Sequence, residues 1–290
     1  MLPMTGGDAA WFRMDRPRNE TDVLAALSFA GPLALDGVRQ VVEERLLAVE
    51  PFRDRAVPRW AGWPGWEPDP GFSLRRHLSH VPIPAGGLPE LLSEVTSSTL
   101  DPAHPLWRLV LAEEPDGATT LVAKVHHALG DGFALVALLL ALADERVADA
   151  PPRPHVVGPG HRPRTPWLPG TDVIAAARDA ASFALTLVRL TALRRDPPGL
   201  ADAHHTGVRR VASTRGLPLD AIADAAHRAG ATVNDVVVAA VAGALRAYLA
   251  ALGRPVDHAL RAFLPVNFRD GRPDLTVDPT LGNRFGLLAA

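Results

Sequence analysis

Apolar and polar positions alternate along the chain in two periods, about 3.6 residues for helices and 2 for strands, and the two are interleaved. Residues 33–55, "LALDGVRQVVEERLLAVEPFRDR", carry Val38, Val41, Val42 and Leu46 at helical spacing, which predicts an amphipathic helix capped by Asp36 and ended by Pro51. The stretch "VPRWAGWPGWEPDPG" (57–71) has three tryptophans among prolines and glycines and predicts a loop pinned to the core by its aromatics. Strands are predicted over 72–83 ("FSLRRHLSHVPI"), 105–114 ("PLWRLVLAEE") and 119–127 ("TTLVAKVHH"), with a helix over 88–101 between the first two. "FALVALLLALADE" (133–145) is apolar nearly all round, which predicts a buried helix.

From Arg146 to Gly170 the sequence turns proline-rich and aperiodic, as a linker does. A long helix is predicted next, with Arg178, Arg189, Arg194 and Arg195; the last three suit the negative end of a helix dipole or, alternatively, an anionic lipid surface. Residues 217–253 read as two helices joined at "RAGAT", with Gly230 closing the first and Thr232 capping the second. "LRAFLPVNFRD" (260–270) is a strand entering a loop. The chain is thus of mixed α/β (α+β) class, in three stretches: 1–145, a linker at 146–170, and 171–290.

Composition narrows the function. A net charge of -2 over 290 residues provides no positive field to gather phosphates, so nucleic acid is not expected as a partner. The absence of cysteine excludes disulfides, thiolate metal sites and a cysteine nucleophile. The charged N-terminal stretch lacks the apolar centre of an export signal, and the longest apolar run, Phe133 to Ala143, is too short to span a bilayer. A cytoplasmic location is expected, with contact to the inner face of a membrane or a lipid droplet left open. The basic side chains are arginine throughout, except Lys124.

The chemistry concentrates at "KVHHALGDGFAL" (124–135), where a predicted strand ends and a buried helix starts. Polar groups at the carboxyl end of a strand are well placed for reactions in a crevice. Histidine suits a general base because its ordinary pKa of about 6.5 leaves a neutral nitrogen at cellular pH. Asp131 can hold the loop, and Gly130 and Gly132 permit positive φ or close approach. Adjacent histidines on an extended segment point to opposite sides, which disfavours a shared metal, and none is expected. A packed histidine pair with a turn aspartate is the plainer alternative. His204–His205 lacks the following Asp-Gly and is assigned no role; the full pattern H-H-x-x-x-D-G would arise by chance roughly a few times in a thousand such chains.

This stretch resembles the HHxxxDG signature of the coenzyme A-dependent acyltransferases, and more narrowly that of the bacterial wax ester synthase/diacylglycerol acyltransferase family. Pro105, Leu106 and Trp107 resemble that family's Pro-Leu-Trp motif and Asn234-Asp235 its Asn-Asp motif. "LPVNFRD" and "LGNRF" are similar to later segments, although Asn267 stands where serine is usual. The resemblance implies a chloramphenicol acetyltransferase-like fold of two lobes. The first lobe, 1–145, would be complete and the second partial, because the chain stops at Ala290 while relatives run to roughly one and a half times its length.

It further implies fatty acyl transfer from acyl-CoA to diacylglycerol or a long-chain alcohol, with no cofactor besides that co-substrate. His127 would be the base, His126 and Asp131 would orient it, and Gly132 would admit substrate. Asn234 would donate to an oxyanion or simply open a helix with Asp235. Pro105, Leu106, Trp107 and Asp235 would shape the substrate channel, unless Trp107 is core. With neither cysteine nor a G-x-S-x-G serine, direct transfer is expected rather than an acyl-enzyme. Two alternatives stay open: a condensation-like enzyme using a carrier-protein thioester, and an incomplete lobe that binds lipid or pairs with a C-terminal portion on another chain.

Overall fold

The computed structural model describes residues 2–59, 63–143, 206–214, 216–254, 259, 262–267, 283 and 285–289. The predicted linker and the arginine-bearing helix after it lie outside these residues. The chain divides into two compact units, the first comprising Met1–Arg164, His205–Ala212 and Pro265–Leu288, the second Thr165–His204, Ser213–Leu264 and Ala289–Ala290.

The first unit opens with strand β1 (Leu2–Pro3) and helix α1 (Gly6–Met14), which is closed by a reciprocal capping box between Thr5 and Asp8. Strand β2 (Asp22–Phe29) follows, then helix α2 (Leu35–Val41), which widens into a single π-type turn at Val42–Leu46. Its cap is Ala34 in extended backbone and not Asp36 as predicted; Asp36 sits in the first turn, where a carboxylate meets the positive helix end and pairs with Arg39. The predicted tryptophan loop instead contains strand β4 (Gly65–Pro68), which pairs with strand β3 (Asp54–Val57) just before it and with β1 in a three-stranded sheet. Trp66 is buried there, while Trp63 remains exposed and donates its indole N–H to the Met4 carbonyl.

A one-turn helix, α3 (Leu74–His77), replaces the start of the strand predicted at 72–83; strand β5 (Leu78–Pro82) is the remainder. Helix α4 (Gly87–Ser97), strand β6 (Trp107–Glu113), strand β7 (Thr119–His126) and helix α5 (Gly132–Leu142) fall where the periodicity places them. The main sheet has the order β2-β7-β6-β5, antiparallel except for the parallel β5–β6 pair. Its central strand β7 is buried at every position, which explains why its sequence is a continuous apolar and β-branched run rather than an alternating one. Lys124 is fully buried in that strand, 3.0 Å from Asp22 Oδ2, and donates to the carbonyls of Thr96 and Ser98.

In the second unit, helix α6 (Leu219–Arg228) ends with Gly230 at φ +63°, and helix α7 (Val233–Ala251) starts from Thr232, as predicted. By length and composition α7 could cross a membrane, although its apolar residues are interrupted by Gly243 and Arg246 and so escape a search for one unbroken run. Strands β8 (Phe263–Asn267) and β9 (Phe285–Ala289), most of whose residues belong to the first unit, pair with each other.

Candidate active site

The site is built where β7 ends. Extended backbone at 126 and the tight 3-10 turn at His127–Leu129 send the two imidazoles in different directions. His126 turns inward and is 3% exposed. Its Nδ1 accepts the Ala128 N–H at 3.0 Å, so the neutral ring carries its proton on Nε2 and donates to Thr21 Oγ1 at 3.2 Å. Asp15 Oδ1 stands 3.6 Å from the same Nε2. Both nitrogens of His126 are thereby committed to contacts that hold the strand end.

His127 is half-buried, and its ring lies against Trp11 of α1. Its backbone N–H donates to the Thr21 carbonyl at 2.8 Å, which ties the turn to the residue before β2. Burial holds the imidazole below its ordinary pKa, against opposing contributions from its own backbone carbonyl and Asn283. At neutral pH the ring is therefore uncharged, the form in which it can accept a proton.

Asp131 is the N-cap of α5; its Oδ1 accepts the Ala134 N–H at 2.9 Å, and the residue is 4% exposed. The two glycines do not occupy the left-handed region. Gly130 is extended, but a Cβ there would approach that of Ala134 to 3.3 Å. Gly132 has open space around it, which suits close approach by another molecule.

The Pro-Leu-Trp motif behaves differently from the channel-lining expectation. Pro105, Leu106 and Trp107 are all buried. Trp107 is 1% exposed; its indole N–H donates to the Phe52 carbonyl at 2.9 Å, and its ring stacks on His77. The Leu106 carbonyl accepts the His126 N–H at 3.0 Å. The motif is a packing element that fixes β6 beside the histidine pair. Asn234 and Asp235 belong to the second unit, exposed in the first turn of α7, where Asp235 completes a capping box with Thr232. That local bonding accounts for Asp235 without a substrate contact.

One residue of the site had no assigned role in the sequence reading. Asn283, within "LGNRF", places Oδ1 3.1 Å from His127 Nδ1, and its Nδ2 donates to the His127 carbonyl at 2.9 Å. The same amide and the Asn283 backbone N–H both donate to Asp8 Oδ1, at 2.8 and 3.1 Å. Among the described residues no cluster of three or more His, Asp or Glu side chains could hold a metal.

Residues 4–237 match the wax ester synthase/diacylglycerol acyltransferase catalytic domain, a span that takes in the histidine pair and the Asn-Asp motif. The chain belongs to this family. A Mycobacterium tuberculosis relative bearing a diacylglycerol O-acyltransferase name is 33% identical over 255 residues, covering 79% of this chain and 54% of its own length. A second from the same species is 30% identical and covers 99% of this chain and 63% of its own. The family member thus spans 54% and 63% of the length of these two curated relatives. The solved wax ester synthase/diacylglycerol acyltransferase of Marinobacter aquaeolei VT8 superposes with a TM-score of 0.61 at 25% identity, over 91% of this chain and 64% of that one. The first condensation domain of the calcium-dependent antibiotic synthetase shares the fold at a TM-score of 0.62 and 20% identity, over 99% of this chain and 68% of that domain. The fold is therefore that of the chloramphenicol acetyltransferase-like acyltransferases.

Proposed function

We propose that this chain carries the proton-transfer centre of an acyl-CoA-dependent O-acyltransferase that esterifies diacylglycerol or a long-chain alcohol. The observation that carries the reading is His127: a half-buried, neutral imidazole at the end of the central strand, in the HHxxxDG sequence of a family named for this reaction. The ring takes the hydroxyl proton as the alcohol oxygen attacks the thioester carbonyl. The carbon–sulfur bond then breaks, and the imidazolium returns its proton to the departing thiolate, so ester and free thiol form with no net proton change. General-base assistance of this kind contributes about 10² to 10⁴ in rate. Apolar acyl chains fit a family of lipid substrates, since burying each CH₂ contributes about 0.8 kcal/mol. We place the reaction at the cytoplasmic face of a membrane or lipid droplet, where both the alcohol and its product would reside.

The test is acyl transfer from radiolabelled palmitoyl-CoA to a panel of dioleoylglycerol and hexadecanol, run beside the same acyl group on a carrier-protein phosphopantetheine. Ester formation from the CoA donor supports the reading. Transfer only from the carrier would favour the condensation-type reaction of the structural neighbour. No transfer from either donor would favour a non-catalytic lobe.

A further inference from the structure

The clamp around His127 extends beyond the histidine signature to the two ends of the first unit. Asn283 Nδ2 faces two acceptors, Asp8 Oδ1 and the His127 carbonyl, so the amide nitrogen must lie on that side. Oδ1 then faces His127 Nδ1 and can only accept, and the ring also donates to its own backbone carbonyl, so Asn283 adds a second acceptor that requires the ring proton to sit on Nδ1. In a neutral imidazole the basic lone pair is consequently on Nε2. Asp8 is 2% exposed, and its other oxygen accepts the Thr5 N–H at 3.1 Å, so its position is fixed by the start of α1. Gly7 is the adjacent residue, and a Cβ there would lie only 2.8 Å from Asn283 Cβ: the helix start can approach Asn283 closely because position 7 has no side chain.

We propose that Asp8 and Asn283 are positioning residues that select the Nδ1–H tautomer of His127 and hold Nε2 as the nitrogen that takes the substrate proton. This rests on reading His127 as the general base. Asp8 orients the amide, the amide grips residue 127 at ring and main chain, and Trp11 fixes the ring plane. The arrangement is a carboxylate–amide–imidazole relay in which the carboxylate never touches the ring. At metal-ligating histidines, groups that orient the imidazole through its second nitrogen affect activity by about 10- to 100-fold, and the same order is expected here.

The experiment is ¹⁵N-imidazole NMR on the whole chain labelled at histidine, with His127 assigned by the signals lost in His127→Ala, together with kcat and KM for each variant. The wild type should show a protonated Nδ1 and an unprotonated Nε2 at neutral pH. In Asn283→Ala, which leaves the residue's own carbonyl as an acceptor, the two nitrogens should move part-way toward averaged shifts, with kcat lowered by up to about 10- to 100-fold and KM nearly unchanged. Gly7→Ala, which leaves every hydrogen-bonding group in place but pushes Asn283 away, should move both readouts in the same direction. Asp8→Ala also breaks the helix cap, so its spectrum is compared with that of Thr5→Ala, which weakens the same cap but leaves Asp8 in place. If Asn283→Ala and Gly7→Ala fold and keep the wild-type nitrogen pattern, the proposal is overturned. If instead the tautomer shifts while His127→Ala turns over at the wild-type rate, the tautomer assignment stands and the general-base reading falls.

Discussion

Trp11 lies flat on the imidazole of His127, with ring centroids 4.0 Å apart and planes 13° from parallel. An aromatic pair of this kind contributes about 0.5 to 1.5 kcal/mol beyond its buried area. Replacing Trp11 by leucine keeps an apolar neighbour but removes the flat surface that restrains the ring. If that whole contribution serves ring placement, kcat for Trp11→Leu falls by about 2- to 12-fold with KM little changed. Steady-state kinetics decide it: an unchanged kcat would mean that the stack serves folding alone.

Protonation of His127 removes the lone pair that a base needs. Burial holds its pKa below the ordinary 6.5, so log(kcat/KM) should rise with unit slope through a midpoint below that value and be flat above it. A pH–rate profile with its acid limb above 6.5 would contradict the burial observed here.

Stability should follow pH in the same sense through His77. That residue is buried, and burial lowers its pKa, although its Nδ1 donates to the Trp107 carbonyl at 2.8 Å. The unfolded imidazole takes up its proton at about 6.5 and the folded one only at lower pH, so the unfolded state binds more protons in that window. Urea midpoints should therefore fall as pH drops below 6.5. His77→Phe should flatten that part of the curve.

Lys124 has its ammonium paired with Asp22 and two backbone carbonyls inside the sheet. Lys124→Met leaves Asp22 buried and unpaired and should cost about 3 to 5 kcal/mol in urea unfolding. The double variant with Asp22→Leu should recover much of that loss, because burying two apolar groups avoids the unpaired charge. A double variant as unstable as the single one would show that the ion pair is not the source of the effect.

Asp131→Ala removes the cap of α5 and should destabilise by about 0.5 to 2 kcal/mol. Asp131→Asn, which retains a capping oxygen, should stay close to wild type in both stability and kcat. A large loss of kcat in the stable Asn variant would assign the carboxylate a role beyond the cap.

Strands β6 and β7 were legible because burial on both faces leaves a nearly unbroken apolar signature, and Gly230 and Thr232 because helix ends demand particular residue types; α5 was legible as a helix, but its all-round apolar sequence overstated its burial, since Val136 and Leu140 are exposed. Strand β4 was not: its pairing with β1 and β3 overrides a local composition of Pro, Gly and Trp that favours loops. The ring of His127 was findable from its motif, but its partner was not. Asn283 is 156 residues away from it and Asp8 is 275 from Asn283, and no local pattern encodes contacts of that span. The one available signal was Thr5-Gly-Gly-Asp8, which marks a helix start and so fixes where that carboxylate points. For Trp107 the reverse holds: the motif was recognised, yet only burial and the bond to Phe52 show it to be packing.

The central claim is that His127 removes the hydroxyl proton. The most direct measurement is the single-turnover rate of ester formation from acyl-CoA for wild type and His127→Ala, with melting temperatures matched to show that both are folded. The variant's rate should fall by about 10² to 10⁴, together with loss of the acid limb of the pH profile. A folded His127→Ala that forms ester at the wild-type rate, with the same pH dependence, would contradict it.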